Sequence, residues 1–286
     1  MPYTVRGKQI RYNTAMKQII TTTIAAMILV TMGFFSVKAY QNAKSYEEMS
    51  RIIVDRHSAA ELGTNQLKKL GDILSLGLYD GYDELLREEK KLLETQGFFK
   101  KRAIDYTLYV MVAGTSLLLL YFVMRLQLFT VAVSLAALIT LAGGLLIPIM
   151  MMSIHKEIEY LGDVVLTMES KSVLGSIGKL FEGDNYIVGG ALLLFSIILP
   201  LLKTLSMLFV ALFINIRVAH SMVHFFKLLG KWSMADVFVV ATFLVYLSGS
   251  RGEMSRAEVQ MGLYFFLAYV ILSMVASLSA DKMLQD

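Results

Sequence analysis

The sequence predicts an all-α polytopic integral membrane protein with about six transmembrane helices and a helical hairpin domain outside the membrane. Three observations predict it. Of the 286 residues, 56% are hydrophobic and only 17% charged, against about 25% charged in soluble domains. The apolar residues gather into runs close to the ~20 residues that cross a bilayer core as a helix. Between the first two runs lies a polar, proline-free stretch, residues 39–103, with helical periodicity. Little chain remains for a soluble catalytic domain. There is no cysteine, so disulfides, zinc ribbons, iron–sulfur clusters and thiol chemistry are excluded. The net charge of +4 fits basic membrane loops and not nucleic-acid binding.

The first span is expected from Ile19 to Val37. Arg6, Lys8, Arg11 and Lys17 precede it without an acid, the pattern of a cytoplasmic N-terminus. A signal peptide cleaved near Val37-Lys38-Ala39 is the alternative. The near-spanning run favours an uncleaved anchor, because signal-peptide cores are about 7–15 residues long. Residues 1–38 are thus read as N-terminus and anchor. Residues 39–103 are read as a domain outside the membrane, made of two antiparallel helices that continue the first and second spans. Leu78, Leu85 and Leu92 fall seven apart, with Leu74, Leu86 and Leu93 beside them. Glu84, Glu88, Glu89, Lys90 and Lys91 take other faces. The leucines are expected to pack a hairpin core or a neighbouring chain. Gly63 and Gly77 to Gly81 are expected breaks.

A second span from Tyr106 to Met124 and a short turn at Arg125 make up residues 104–128. Residues 129–286 form a four-helix module. Its spans are expected at Phe129 to Met152, 188–213, Met234 to Ser250 and Met261 to Ala280. The positive-inside rule places the N-terminus, Arg125 and the 215–232 loop in the cytoplasm. The 153–186 loop, with Glu157, Glu159, Asp163, Glu169, Glu182 and Asp184, falls outside. Both termini are then cytoplasmic. Lys100-Lys101-Arg102 fits this scheme poorly, but it ends a translocated domain long enough to weaken the rule.

Lys203 is the strongest candidate functional residue. It sits mid-span, where a charge costs about 2.5–3.5 kcal/mol even on the lenient insertion scale. Pro200, three residues earlier, shares its face and loosens the backbone. Such a pairing lines a polar cavity or substrate path, or else the lysine snorkels or meets an acid inside the bundle. Thr204 lies next to it. Thr140, Ser196, Ser206, Thr242 and Ser273 also stand in apolar spans; they either line a wet groove or bond to their own backbone.

At the fifth span, Gly230 to Phe238 reads Gly-Lys-Trp-Ser-Met-Ala-Asp-Val-Phe. Ser233 and Asp236 are spaced as an N-cap and its N3 partner, with Trp232 at the interface and Lys231 on the rim. Capping explains each polar residue; the sharper alternative is that Asp236 joins Lys203 in a polar path. His220 and His224 are four apart, but no third ligand is near in sequence. They read as a solvated face and not a metal site. Gly143-Gly144 and Gly189-Gly190 allow close helix approach. No Walker, HExxH, GxSxG or Rossmann motif is present, so neither an enzyme nor a cofactor is expected.

Three stretches together resemble the paraquat-inducible protein A family of LetA-type inner-membrane proteins. They are Leu-Leu-Ile-Pro-Ile-Met around Pro148; residues 172–184 leading to Pro200 and Lys203; and the Trp232–Phe238 string followed by Gly-Leu-Tyr-Phe-Phe at 262–266. The resemblance implies a non-enzymatic inner-membrane component of intermembrane phospholipid transport that supports envelope integrity. It implies a periplasmic MCE-domain partner, membrane lipids as ligands and room for homo-oligomers. Carried over by position, Lys203, Asp236, Ser233 and Thr204 would bind lipid or couple to protons. Pro148, Pro200 and Trp232 would be structural. Family members commonly carry two modules and cysteine zinc ribbons; this chain has one module and no cysteine. Two other functions fit the residues: a membrane-anchored sensor using the 39–103 domain, and an assembly factor for an envelope complex.

Overall fold

A computed structural model describes residues 3–56, 81–158, 162–213 and 255–285. Five helices are long and apolar enough to cross a membrane among them. The protein is therefore an all-α, multi-pass membrane protein in its bulk. The expected span at Met234 to Ser250 lies outside the described residues.

The first two helices are far longer than a bilayer requires. α1 runs Tyr3–Arg56, 54 residues, and α2 runs Gly81–Leu119, 39 residues. Each continues beyond its apolar stretch, as expected from the sequence. They lie antiparallel: Ser50 meets Gln96 at 2.8 Å, Phe35 stacks on Tyr106, and Met32 lies nearest Gly114. Their seam has a seven-residue period. Ala25, Met32, Ala39 and Tyr46 are buried on α1, with Ser36, Ala43 and Ser50 in a second row. Ala103, Val110 and Leu117 answer them on α2. A sustained seven-residue repeat is the pattern of a left-handed supercoil, and its alanines let the backbones approach. The leucines contribute less than expected. Leu92 is half-buried and Leu93 is 49% exposed; Leu74 and Leu78 lie outside the described residues.

After a tight turn at Leu120–Phe122, α3 spans Leu126–Leu146. This corrects the expected third span, which ran on to Met152. Pro148 removes a donor and forces Ile147 out of helical geometry; Ile147 is indeed extended, at φ −76° and ψ 141°. The following methionines form a strand instead. β1 (Met150–Ile158) pairs antiparallel with β2 (Gly162–Lys171), with an irregularity between Ile154 and His155. A later strand, β3 (Ser255–Val259), pairs with the other edge of β1, giving the order β2-β1-β3. The segment 153–186, read from the sequence as a loop, thus holds most of a small sheet.

Beyond the sheet, α4 (Val173–Glu182) is capped by Ser172, whose hydroxyl accepts from the Gly175 amide. It ends in a Schellman pattern: Asn185 N–H donates to Leu180 O and Asp184 N–H to Phe181 O. Asp184 takes the left-handed position at φ 58°, which aspartate tolerates better than most residues. The fourth span is one stretch, Tyr186–Leu212, made of α5 (Tyr186–Leu193), a widened turn and α6 (Leu199–Leu212). The last helix, α7, runs Met261–Gln285.

α3 is the hub. The share of its span buried is 67%, against 22% and 28% for α1 and α2. Gly143 and Gly144 face α7, where an added carbon would strike the Phe265 ring and the Phe266 backbone. The Gly262 amide donates to Pro148 O and the Gln260 amide to Ile149 O, both at 2.8 Å, so α7 starts locked onto the end of α3. Gly189 packs against Leu180 and Phe181 of α4 and not on another span; Gly190 meets nothing within 4 Å.

Two ends of the bundle follow. At one, Gln127 donates to Ala211 O and Lys282 to the Tyr121 hydroxyl. At the other lie the sheet and Lys100, which bridges to Glu258 of β3 at 3.0 Å. Phe213 and Ser255 therefore stand at opposite ends of the bundle.

Candidate functional site

The fourth span carries its irregularity where the sequence places proline. The Leu199 amide donates to Leu194 O, five residues back. Pro200 has no N–H, so the Ser196 carbonyl cannot receive the usual α-helical bond from it. The turn Leu194–Ile198 widens into a π-turn, a feature frequent at functional sites.

Lys203 follows one turn later and is buried, at 5% exposure. It lies eight residues, about 12 Å, from Ala211, which is level with Gln127 near the start of α3. The residue is thus enclosed by protein well inside the span. Pro200 is buried on the same face.

A hydrogen-bonded knot closes beside it. Thr204 Oγ1 donates to Pro200 O at 2.9 Å, and Tyr269 OH of α7 donates to the same carbonyl at 3.2 Å. The two hydroxyls lie 3.4 Å apart. Each spends its one proton on Pro200, so the carbonyl next to the π-turn is held from two helices. Thr204 was singled out in the sequence as a lipid or proton group; here its hydroxyl fastens the backbone. Tyr269 escaped sequence reasoning altogether. Its only signal was its place four residues after Phe265 within a mostly apolar helix, which does not distinguish a knot from core.

The candidate groove residues of the described spans are all enclosed. Thr140, Ser196, Ser206 and Ser273 are buried. Thr140 bonds to Ala136 O and Ala137 O of its own helix. Ser273 of α7 and Ser134 of α3 have no hydrogen-bond partner for their hydroxyls. Buried hydroxyls without a protein partner are where internal water is found. Pro148 ends α3 and offers its carbonyl to Gly262. Trp232, Ser233 and Asp236 lie outside the described residues, as do His220, His224 and Thr242. Among the described residues no group of three His, Asp or Glu is placed to hold a metal ion.

Residues 129–285 match the sequence model of a family described as Paraquat-inducible protein A. The chain belongs to the paraquat-inducible protein A family. The match begins at Phe129, in the first turns of α3, and takes in the sheet, the π-turn, Lys203 and α7. The α1–α2 hairpin lies outside it. A curated protein of Haemophilus influenzae (strain ATCC 51907 / DSM 11121 / KW20 / Rd) is 24% identical over 123 residues, covering 41% of this chain and 29% of that protein. It is named a probable intermembrane transport protein. The chain thus spans less than a third of the relative's length. No solved structure matches.

Proposed function

We propose that this paraquat-inducible protein A family member is a non-enzymatic component of intermembrane phospholipid transport in the bacterial inner membrane. In this reading both termini are cytoplasmic and the sheet end faces the periplasm, where an MCE-domain protein docks. The observation that carries it is Lys203, enclosed within the fourth span beside a π-turn and a proline. Intramembrane charges of this kind mark substrate or ion pathways. The ammonium would hold a lipid phosphate or relay a proton, with Asp236 as polar partner and Ser233 capping the helix that bears it. The relative named for intermembrane transport supports the same direction. The knot of Pro200, Thr204 and Tyr269 would keep the widened turn open beside the charge.

The test pairs function with binding. In a strain whose envelope barrier needs this protein, Lys203→Ala and Asp236→Ala should each abolish complementation at normal membrane abundance. Native mass spectrometry of the intact protein in mild detergent should show an MCE protein and phospholipid, with the lipid lost in Lys203→Ala. An intact barrier in both variants would sink the proposal. Purification with neither lipid nor an MCE protein would do the same.

A further inference from the structure

A cavity lies at the junction of the hairpin and the family module. Its volume is about 80 Å³, and it is walled by Met32 of α1, Met111, Gly114 and Leu118 of α2, Thr140 of α3 and Ile271 of α7. Its lining is mostly apolar. Thr140 Oγ1 is committed to two carbonyls of its own helix, and Thr115 Oγ1, also in the wall, donates to Met111 O. The one proton of each threonine hydroxyl is therefore held by its own helix. Water needs two to four polar partners, and neither threonine has a proton left to give it. Gly114 leaves the gap open: an added carbon there would touch only the Met32 methyl, at 3.8 Å.

The depth and the rim specify the occupant. Ile104, Leu108 and Val112 form an exposed apolar stripe on α2 that leads to Thr115 at the groove. Exposed Lys101 tops that stripe, fourteen residues or about 21 Å above Thr115. Half a bilayer from headgroup to midplane is about 20–22 Å. A phospholipid lying along this stripe would set its phosphate at Lys101 and its chain end at the groove. The space is too small and too apolar for a headgroup.

We infer that this groove is an acyl-chain site for a phospholipid of the sheet-side leaflet, with Lys101 at its phosphate. It goes beyond the Lys203 reading and does not depend on it. The site exists only because the hairpin packs on the module, since α1 and α2 supply more than half of its wall.

The test uses the full-length protein in vesicles of phosphatidylethanolamine and phosphatidylglycerol. A small fraction of phosphatidylglycerol carries a photoreactive diazirine at the acyl-chain end. After irradiation, peptides covering residues 111–118 and 268–272 should carry several-fold more adduct than the lipid-facing residues Ile24 and Met27. Gly114→Leu should reduce that excess at least fivefold, and Gly114→Ala, which fits without a clash, at least twofold. Lys101→Glu should weaken it by a smaller factor. Labelling of the groove no stronger than that of the open face would overturn the site; so would wild-type labelling in Gly114→Ala. Lys203→Ala should leave the labelling unchanged, so loss of transport and loss of chain binding are read separately.

Discussion

The α1–α2 hairpin and the family module solve the same problem of holding helices together in lipid, but with different means. In hydrocarbon, apolar burial gives no preference between a neighbouring helix and a lipid tail, so close packing and polar contacts decide. The hairpin uses repetition: a long alanine-rich seam with a seven-residue period. The module uses a few tight points. Gly143 and Gly144 admit the rings and backbone of α7, Gly262 docks on the Pro148 carbonyl, and Tyr269 ties α7 to the π-turn. The difference teaches where chemistry can be built. A repetitive seam tolerates local change but places no single group sharply. The point-locked module fixes its backbone around Lys203.

That contrast can be broken at its tightest point. The position of an added carbon at Gly262 falls against the Ile147 and Pro148 carbonyl oxygens, and backbone cannot step aside as a side chain would. Gly262→Ala should therefore cost about 3 kcal/mol, the upper part of the overpacking range, and should lower the unfolding temperature of the detergent-solubilised protein by several degrees. Wild-type stability in that variant would mean that α7 is not locked to the end of α3 as described. In the hairpin, Ala39→Leu adds bulk at a fully buried seam position. The long helices can shift together, so the expected cost is about 1–2 kcal/mol. Cysteine cross-linking of position 36 on α1 to position 107 on α2 should still succeed, at reduced yield. A loss as large as that of Gly262→Ala would erase the distinction between the two regions.

The smallest effect belongs to the bridge between them. Lys100 and Glu258 are both substantially exposed, and Lys100 also lies 5.6 Å from the centre of the Tyr46 ring. Exposed ion pairs are worth about 0–1 kcal/mol. Glu258→Gln should thus cost under about 1 kcal/mol, and raising the salt concentration should remove most of the difference from wild type. A larger, salt-independent loss would show that hairpin and sheet are coupled through this contact.

Much of this was legible in the sequence for a simple reason. A span must bury its backbone polar groups within itself, so a run of apolar residues specifies a helix with little help from neighbours. The hairpin's continuation of the first two spans followed from periodicity in the same way, though the seam is carried by alanines more than by leucines. The third span was misjudged at its end because Met150, Met151 and Met152 are as compatible with a helix as with a strand. Pro148 was the deciding signal, and its consequence depends on β2 and β3 being available to pair. Lys203 stood out by cost alone, since a charge in an apolar run announces itself.

What the sequence determined by itself was local: the spans, the break at Pro148, the proline that leaves Ser196 without its donor, and the family to which residues 129–285 belong. The tertiary structure alone decided which faces meet. Tyr269 reaches Pro200 across 69 positions, Gly262 reaches Pro148, and the hairpin and module enclose a groove that neither has alone. Helix periodicity states that a residue is on a face. It carries no information about which helix that face opposes, because close packing in lipid is settled by shape between segments far apart in the chain.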